Sequence, residues 1–144
     1  MIAVDTNILV HAHRAEMPKH EAALAQLRSL AEGAEPWGIP VFCLGELVRV
    51  ITHPRLFDPP HSAKEAAEAV RRLTESPSLR VLSPGSRFVG LFREAIEKGG
   101  ATGNLVFDAV IVAVCRESGA RALLTEDKDF RRFPKFPTVG LDEV

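Results

Sequence analysis

Residues 2–10 read Ile2-Ala3-Val4-Asp5-Thr6-Asn7-Ile8-Leu9-Val10, and the fold turns on how this stretch is parsed. Three apolar residues stop at an acid, and a second apolar run begins just beyond it. A short buried strand, Ile2 to Val4, followed by a helix from Asn7 to Arg14 accounts for that pattern. Outward from it, the chain keeps alternating short apolar runs with longer helical periodicities. That alternation is expected of βαβ units around a parallel sheet.

Glu21 to Leu30 is helical, with Leu24, Leu27, Leu30 and Ala31 on one stripe. Gly33 to Gly38 interrupts it, and Trp37 to Ile39 reads as a second strand. Pro40 suits the first turn of the next helix, which runs through Ile51 and must stop before Pro54. Ser62 and Glu65 form an S-x-x-E capping box opening a helix to Glu75, with Ala66, Ala69, Val70 and Leu73 inward. Leu79 to Leu82 is the third strand, closed by Pro84. Phe88, Leu91, Phe92, Ala95 and Ile96 mark a helix ended by Gly99-Gly100. Leu105 to Ser118 is apolar nearly all round and therefore reads as a buried helix stopped by Gly119. Arg121 to Thr125 and Thr138 to Leu141 complete the sheet. With no repeat and no linker, residues 1–144 read as a single α/β domain.

A chain of 144 residues can remove roughly two-thirds of its unfolded surface from water. The net charge of -1 gives no global attraction to nucleic acid, so any such binding must come from local clusters. Cys43 and Cys115 lie in apolar segments and read as reduced core thiols. The first ten residues lack a basic n-region, and Leu105 to Cys115 falls short of the about 20 residues a bilayer requires. A cytoplasmic location is expected.

Four acids stand in or against apolar runs. Asp5 ends the first strand, and Glu46 shares Val41 to Ile51 with a single other charge, Arg49. Asp108 is the one polar residue between Leu105 and Val114, and Asp127 follows the fourth strand. A carboxylate taken out of water must be paired, hydrogen-bonded or metal-bound. Each acid also has a structural reading. Asp5 can cap the helix after it, Asp127 can belong to an ordinary polar turn, and Asp108 can cap another segment's amides. Glu46 can pair with Arg49. Apolar residues flank Glu46 on both sides of its helix, so limited solvation is expected there.

Together the four favour a shared cation site, because clustered carboxylates repel one another without one. In an open parallel sheet, ligands collect at the carboxyl ends of the strands, where strand order reverses. If the first and fourth strands are neighbours there, Asp5 and Asp127 meet in one crevice, with Glu46 and Asp108 projecting from flanking helices. Oxygen ligands select Mg²⁺ or Mn²⁺ over zinc. His11 and His13, two residues apart, point to different sides of a helix and do not suggest a metal pair. Arg55, Arg131 and Arg132, with Lys135, follow two of the acids and either hold a phosphate backbone or form a solvated face.

These residues resemble PIN-domain ribonucleases, specifically VapC-type toxins. Val4-Asp5-Thr6-Asn7-Ile8-Leu9 matches the family's opening D-x-N motif. Glu46, then Asp108 in Asn104-Leu105-Val106-Phe107-Asp108-Ala109, then Asp127 in Thr125-x-Asp127-x-Asp129-Phe130 match its other acidic positions in order. His11-Ala12-His13-Arg14 and Val50-Ile51-Thr52-His53-Pro54-Arg55 resemble one branch.

The resemblance spans nearly the whole chain. It implies a three-layer α/β/α sandwich, a homodimer, a VapB-type antitoxin and cleavage of structured RNA (tRNA or rRNA) by metal-activated water. Carried over, Asp5 and Asp108 are direct Mg²⁺ or Mn²⁺ ligands, and Glu46 and Asp127 complete the catalytic set. Asn7, Thr125 and Asp129 support it, while Arg55, Arg131 and Arg132 contact substrate. The alternative is a degenerate PIN domain that only binds RNA or a partner. A phosphatase using Asp5 as nucleophile would want an Asp at position 7, where this chain has Asn7. A response-receiver domain would want one after the third strand, where it has Ser83-Pro84.

Overall fold

The computed structural model describes residues 1–144. Its strands are β1 (Ile2–Val4), β2 (Trp37–Pro40), β3 (Leu79–Leu82), β4 (Ala122–Leu124) and β5 (Thr138–Val139). They form one wholly parallel sheet in the order β3-β2-β1-β4-β5. The order reverses between β1 and β4, where Ile2, Ala3 and Val4 stand in register with Ala122, Leu123 and Leu124. The adjacency of the first and fourth strands, the condition for Asp5 and Asp127 to share a crevice, is therefore met.

Six helices surround the sheet: α1 (Thr6–His13), α2 (His20–Glu32), α3 (Val41–Ile51), α4 (Ala63–Thr74), α5 (Phe88–Gly99) and α6 (Leu105–Ser118). Successive strand residues point to opposite faces, yet every residue of β2 and of β4 is buried. Both faces are thus covered by helices, as a three-layer α/β/α arrangement requires. α5 packs on α6, while α1 packs on α2 and α3. Ile8, Leu9, Trp37, Ile39, Leu47, Val112, Leu123 and Phe130 are essentially inaccessible and form the centre of one continuous core. No helix is long and apolar enough to cross a membrane.

Local signals act where the sequence places them. Ser62 Oγ accepts from the Glu65 amide at 3.0 Å, and the Glu65 carboxylate accepts from the Ser62 amide at 2.9 Å, closing the capping box of α4. Gly100 (φ 59°) and Gly119 (φ 75°) end α5 and α6 in the left-handed conformation, which a side chain would strain. Cys43 and Cys115 are buried free thiols.

Three expectations are corrected. Pro40 closes β2 and precedes α3 with ψ 134°, so it is not in the helix's first turn. The last strand is only Thr138–Val139, because Leu141 turns inward to open a 3₁₀ turn. α6 is buried along most of Ala109 to Cys115, but its first turn is open, with Phe107 68% exposed. That turn lies beside the carboxyl ends of the strands, where the layers leave a cavity.

Candidate active site

Asp5 directly follows β1, and its amide donates to the Leu124 carbonyl at 3.0 Å, continuing the ladder to β4. Its carboxylate does not cap α1. Asp5 Oδ2 instead accepts from Thr125 Oγ1 at 2.8 Å and from Asn7 Nδ2 at 3.0 Å. The side-chain donor to Asp5 Oδ1 is the Cys43 thiol, at 3.8 Å, and the Thr6 amide also favours the charged carboxylate. Burial, followed by the Asp5 charge, holds that thiol well above its usual pKa, so Cys43 stays neutral. One oxygen of Asp5 is thus fixed by two strong side-chain donors, whereas the other has only a weak thiol among side chains.

The same small network sets the loop after β4. Thr125 Oγ1 accepts from the Asp127 amide at 3.0 Å, and Asn7 Oδ1 accepts from the Glu126 amide at 3.2 Å. Asp127 Oδ1 accepts from the Asp129 amide at 2.9 Å, tightening the 3₁₀ turn Lys128–Arg132. Asp127 therefore does cap a turn, but that turn carries Asp129 toward Asp108. Carboxylate oxygens of Asp108, Asp127 and Asp129 all lie within 4.8 Å of one another. Asp129 belongs to this acidic grouping, although the family resemblance implied only a supporting part for it.

Asp5, Asn7, Glu46, Asp108 and Asp127 line one cavity of about 470 Å³, which no Lys or Arg enters. Burial pushes Asp108 up to about 7, with repulsion from Asp127, Asp5, Asp129 and Glu46 adding to it. Asp5 rises to about 6, again chiefly through burial, although the Thr125 hydrogen bond pulls it down. Glu46 is exposed at the cavity, contrary to the limited solvation expected of it, and no ion pair joins it to Arg49. The core takes Cys43, Leu47 and Ile51, and Glu46, about 100° round α3 from the centre of that stripe, flanks it on the cavity side.

Such an arrangement suits a hard divalent cation. Its donors are carboxylate oxygens, two of them are disfavoured as anions in its absence, and no protein cation is present to neutralise them.

The basic residues separate. Arg131 lines an adjoining polar cleft of about 510 Å³ that shares His11 and Asp127 with the acidic cavity. Arg132 turns away and donates to the Gly99 and Gly100 carbonyls at the end of α5, at 3.3 and 3.2 Å. Arg55 is exposed beyond α3, where its amide bonds His53 Nδ1, and it lines neither cavity. Two of the three expected substrate contacts thus lie away from the acids.

Glu126 was not singled out by sequence reasoning. It pairs with Lys19 and accepts from the Leu141 amide, tying the Asp127 loop to the start of α2 and to the C-terminal turn. Nothing local signals a partner 107 positions away.

Thr125→Val tests the network. The buried hydroxyl serves Asp5, Asn7 and the Asp127 amide together. Its loss should cost about 1–3 kcal/mol, read as a lower urea midpoint with unchanged slope.

A family model for the PIN domain matches residues 2–136. The chain belongs to the PIN domain family. Among its relatives, a VapC ribonuclease of Mycobacterium bovis and ribonuclease VapC43 of Mycobacterium tuberculosis are each 38% identical over 133 residues, covering 92% of this chain and 90% of theirs. The fold is also that of VapBC2 from Rickettsia felis, solved bound to a promoter DNA fragment. There the TM-score is 0.69 at 20% identity, covering 97% of this chain and 98% of that one. M. tuberculosis VapC20, a toxin described as cleaving the sarcin–ricin loop, gives a TM-score of 0.67 at 22% identity, covering 95% of this chain and 99% of the toxin.

Proposed function

We propose that this chain is a divalent-cation-dependent endoribonuclease and the toxin of a type II toxin–antitoxin pair. The carrying observation is the convergence of Asp5, Glu46, Asp108 and Asp127 on one cavity free of Lys and Arg. The relatives named as VapC ribonucleases support the same reading.

Asp108 and Asp5, with Asp127 and Asp129 beside them, would hold Mg²⁺ or Mn²⁺. When bound, such a cation supplies Lewis acidity, easing deprotonation of water and offsetting charge on phosphate oxygens. Thr125 and Asn7 fix one oxygen of Asp5 and leave the other turned to its weak thiol neighbour. Glu46, solvated at the cavity, orients the attacking water or accepts its proton. Arg131 holds the backbone where the strand leaves the acids. With water as nucleophile, the products carry a 5′-phosphate and a 3′-hydroxyl.

The substrate on this reading is structured RNA (tRNA or rRNA), in keeping with the sarcin–ricin loop named for VapC20. A VapB-type antitoxin is the expected partner, since similar folds were solved as VapBC complexes from R. felis and Haemophilus influenzae. The protein acts as a homodimer in the cytoplasm.

Purified, antitoxin-free protein incubated with end-labelled total RNA provides the test. Discrete products in Mg²⁺ or Mn²⁺, abolished by EDTA, are expected. RNA binding without cleavage in any metal would replace this reading with a binding module.

A further inference from the structure

The acidic cavity has a second half that the hydrolytic reading leaves unused. Phe107, immediately before Asp108 in the first turn of α6, is 68% exposed, and Phe42 in the first turn of α3 is 41% exposed. Both line the same cavity as Asp5, Glu46 and Asp108, alongside the aliphatic Val10 and Val50. An aromatic ring left in water forgoes the stabilisation of burial, so two of them beside four acids call for an occupant. Phe42 is held from behind by Phe88, with ring centroids 6.3 Å apart.

An RNA strand brings two chemistries to this place, charged phosphates and the flat apolar faces of its bases. With a cation in place the acidic half takes the phosphate that is cut, whereas a further phosphate would conflict with the apolar half, which no Lys or Arg lines. The aromatic wall meets no such conflict with a base. Proteins that act on RNA hold unpaired bases against exposed aromatic side chains in this manner.

We infer that Phe107, assisted by Phe42, is a stacking platform for an unpaired nucleobase next to the phosphate that is cut. The inference rests on the nuclease reading and adds a determinant of substrate choice: the target must present a splayed base at the cleavage site. A duplex with all its bases stacked cannot supply one.

The full-length protein, Phe107→Ala and Phe107→Trp are compared, with thermal melts to verify folding. Cleavage kinetics use an oligoribonucleotide copied from a mapped cleavage site, and binding in EDTA uses the same strand carrying 2-aminopurine at successive positions. Phe107→Ala should lose roughly ten-fold or more in kcat/KM, with the larger part in KM. Phe107→Trp should restore it. Wild type and Phe107→Trp should quench 2-aminopurine at one position beside the scissile phosphate, and Phe107→Ala should not.

Unchanged KM and unchanged quenching in a folded Phe107→Ala would overturn the inference. So would a loss confined to kcat, which would mean that the ring only positions Asp108. Weakened capture by a VapB-type antitoxin with intact cleavage would likewise overturn it and assign the ring to the antitoxin. Failure of the wild type to cleave any RNA would instead sink the nuclease reading itself.

Discussion

Asp108→Asn removes RNA cleavage and leaves the cation-free protein as stable as the wild type, or more so. The substitution keeps the shape of the side chain and deletes its charge. That charge is already disfavoured, because burial and four neighbouring carboxylates push Asp108 up to about 7. Neutralising it relieves repulsion in the folded state at no cost in packing. Activity moves the opposite way, since the carboxylate is needed to hold the cation and neighbouring water. A fall in kcat/KM on the order of 10³-fold or more is expected. A residue that served only the fold would lose stability and activity together. Comparable folding with full activity in Asp108→Asn would remove Asp108 from the site.

The second large effect is on stability as a function of pH. Asp5 and Asp108 have folded-state values of about 6 and about 7 against an ordinary 3.8. The folded state therefore binds their protons more tightly than the unfolded chain does. Their stabilising contribution is complete below about 3.8 and is lost as pH rises through 6 and then 7. His11 and His13 tilt the other way over part of this range, because burial lowers both. The carboxylate contribution is isolated by comparing wild type with Asp108→Asn in EDTA. Between pH 5 and pH 8 the wild-type melting temperature should fall relative to the variant, and Mg²⁺ should recover the difference at the alkaline end. Melting curves that stay parallel across this range would contradict the electrostatic account of the cluster.

The sequence discloses this site unevenly, for physical reasons. The end of the first strand at Val4 was legible, because a short apolar run closed by a polar residue is a strong local signal. The fourth strand, read as Arg121 to Thr125, is one residue shorter at each end, Ala122–Leu124. Their adjacency, which brings Asp5 and Thr125 to 2.8 Å, follows from the reversal of strand order. Asp108 announced itself as the only polar residue in an apolar run. Glu46 did not show its exposure, because apolar residues flank it on two sides and periodicity cannot tell which side meets the core. The apolar run around Asp108 concealed Phe107 in the same way. A wheel drawn on that run looks buried all round, whereas the first turn of α6 projects past the sheet. Arg132 and Arg131 are adjacent in sequence, yet the 3₁₀ turn sends one to the α5 carbonyls and leaves the other beside Asp127. Adjacency in a tight turn carries no information about direction. The Lys19–Glu126 pair shows the same limit over a longer range, since only the folded topology brings those two loops together.

The claim on which the rest depends is that these acids form one divalent-cation site. Titrating Mn²⁺ into the purified, metal-stripped protein at about pH 7.5, with free Mn²⁺ followed by electron paramagnetic resonance, tests it most directly. Saturable binding by the wild type, competed by Mg²⁺ and lost or greatly weakened in the folded Asp108→Asn variant, is the predicted result. Equal Mn²⁺ binding by the two proteins, or none by the wild type, would contradict it.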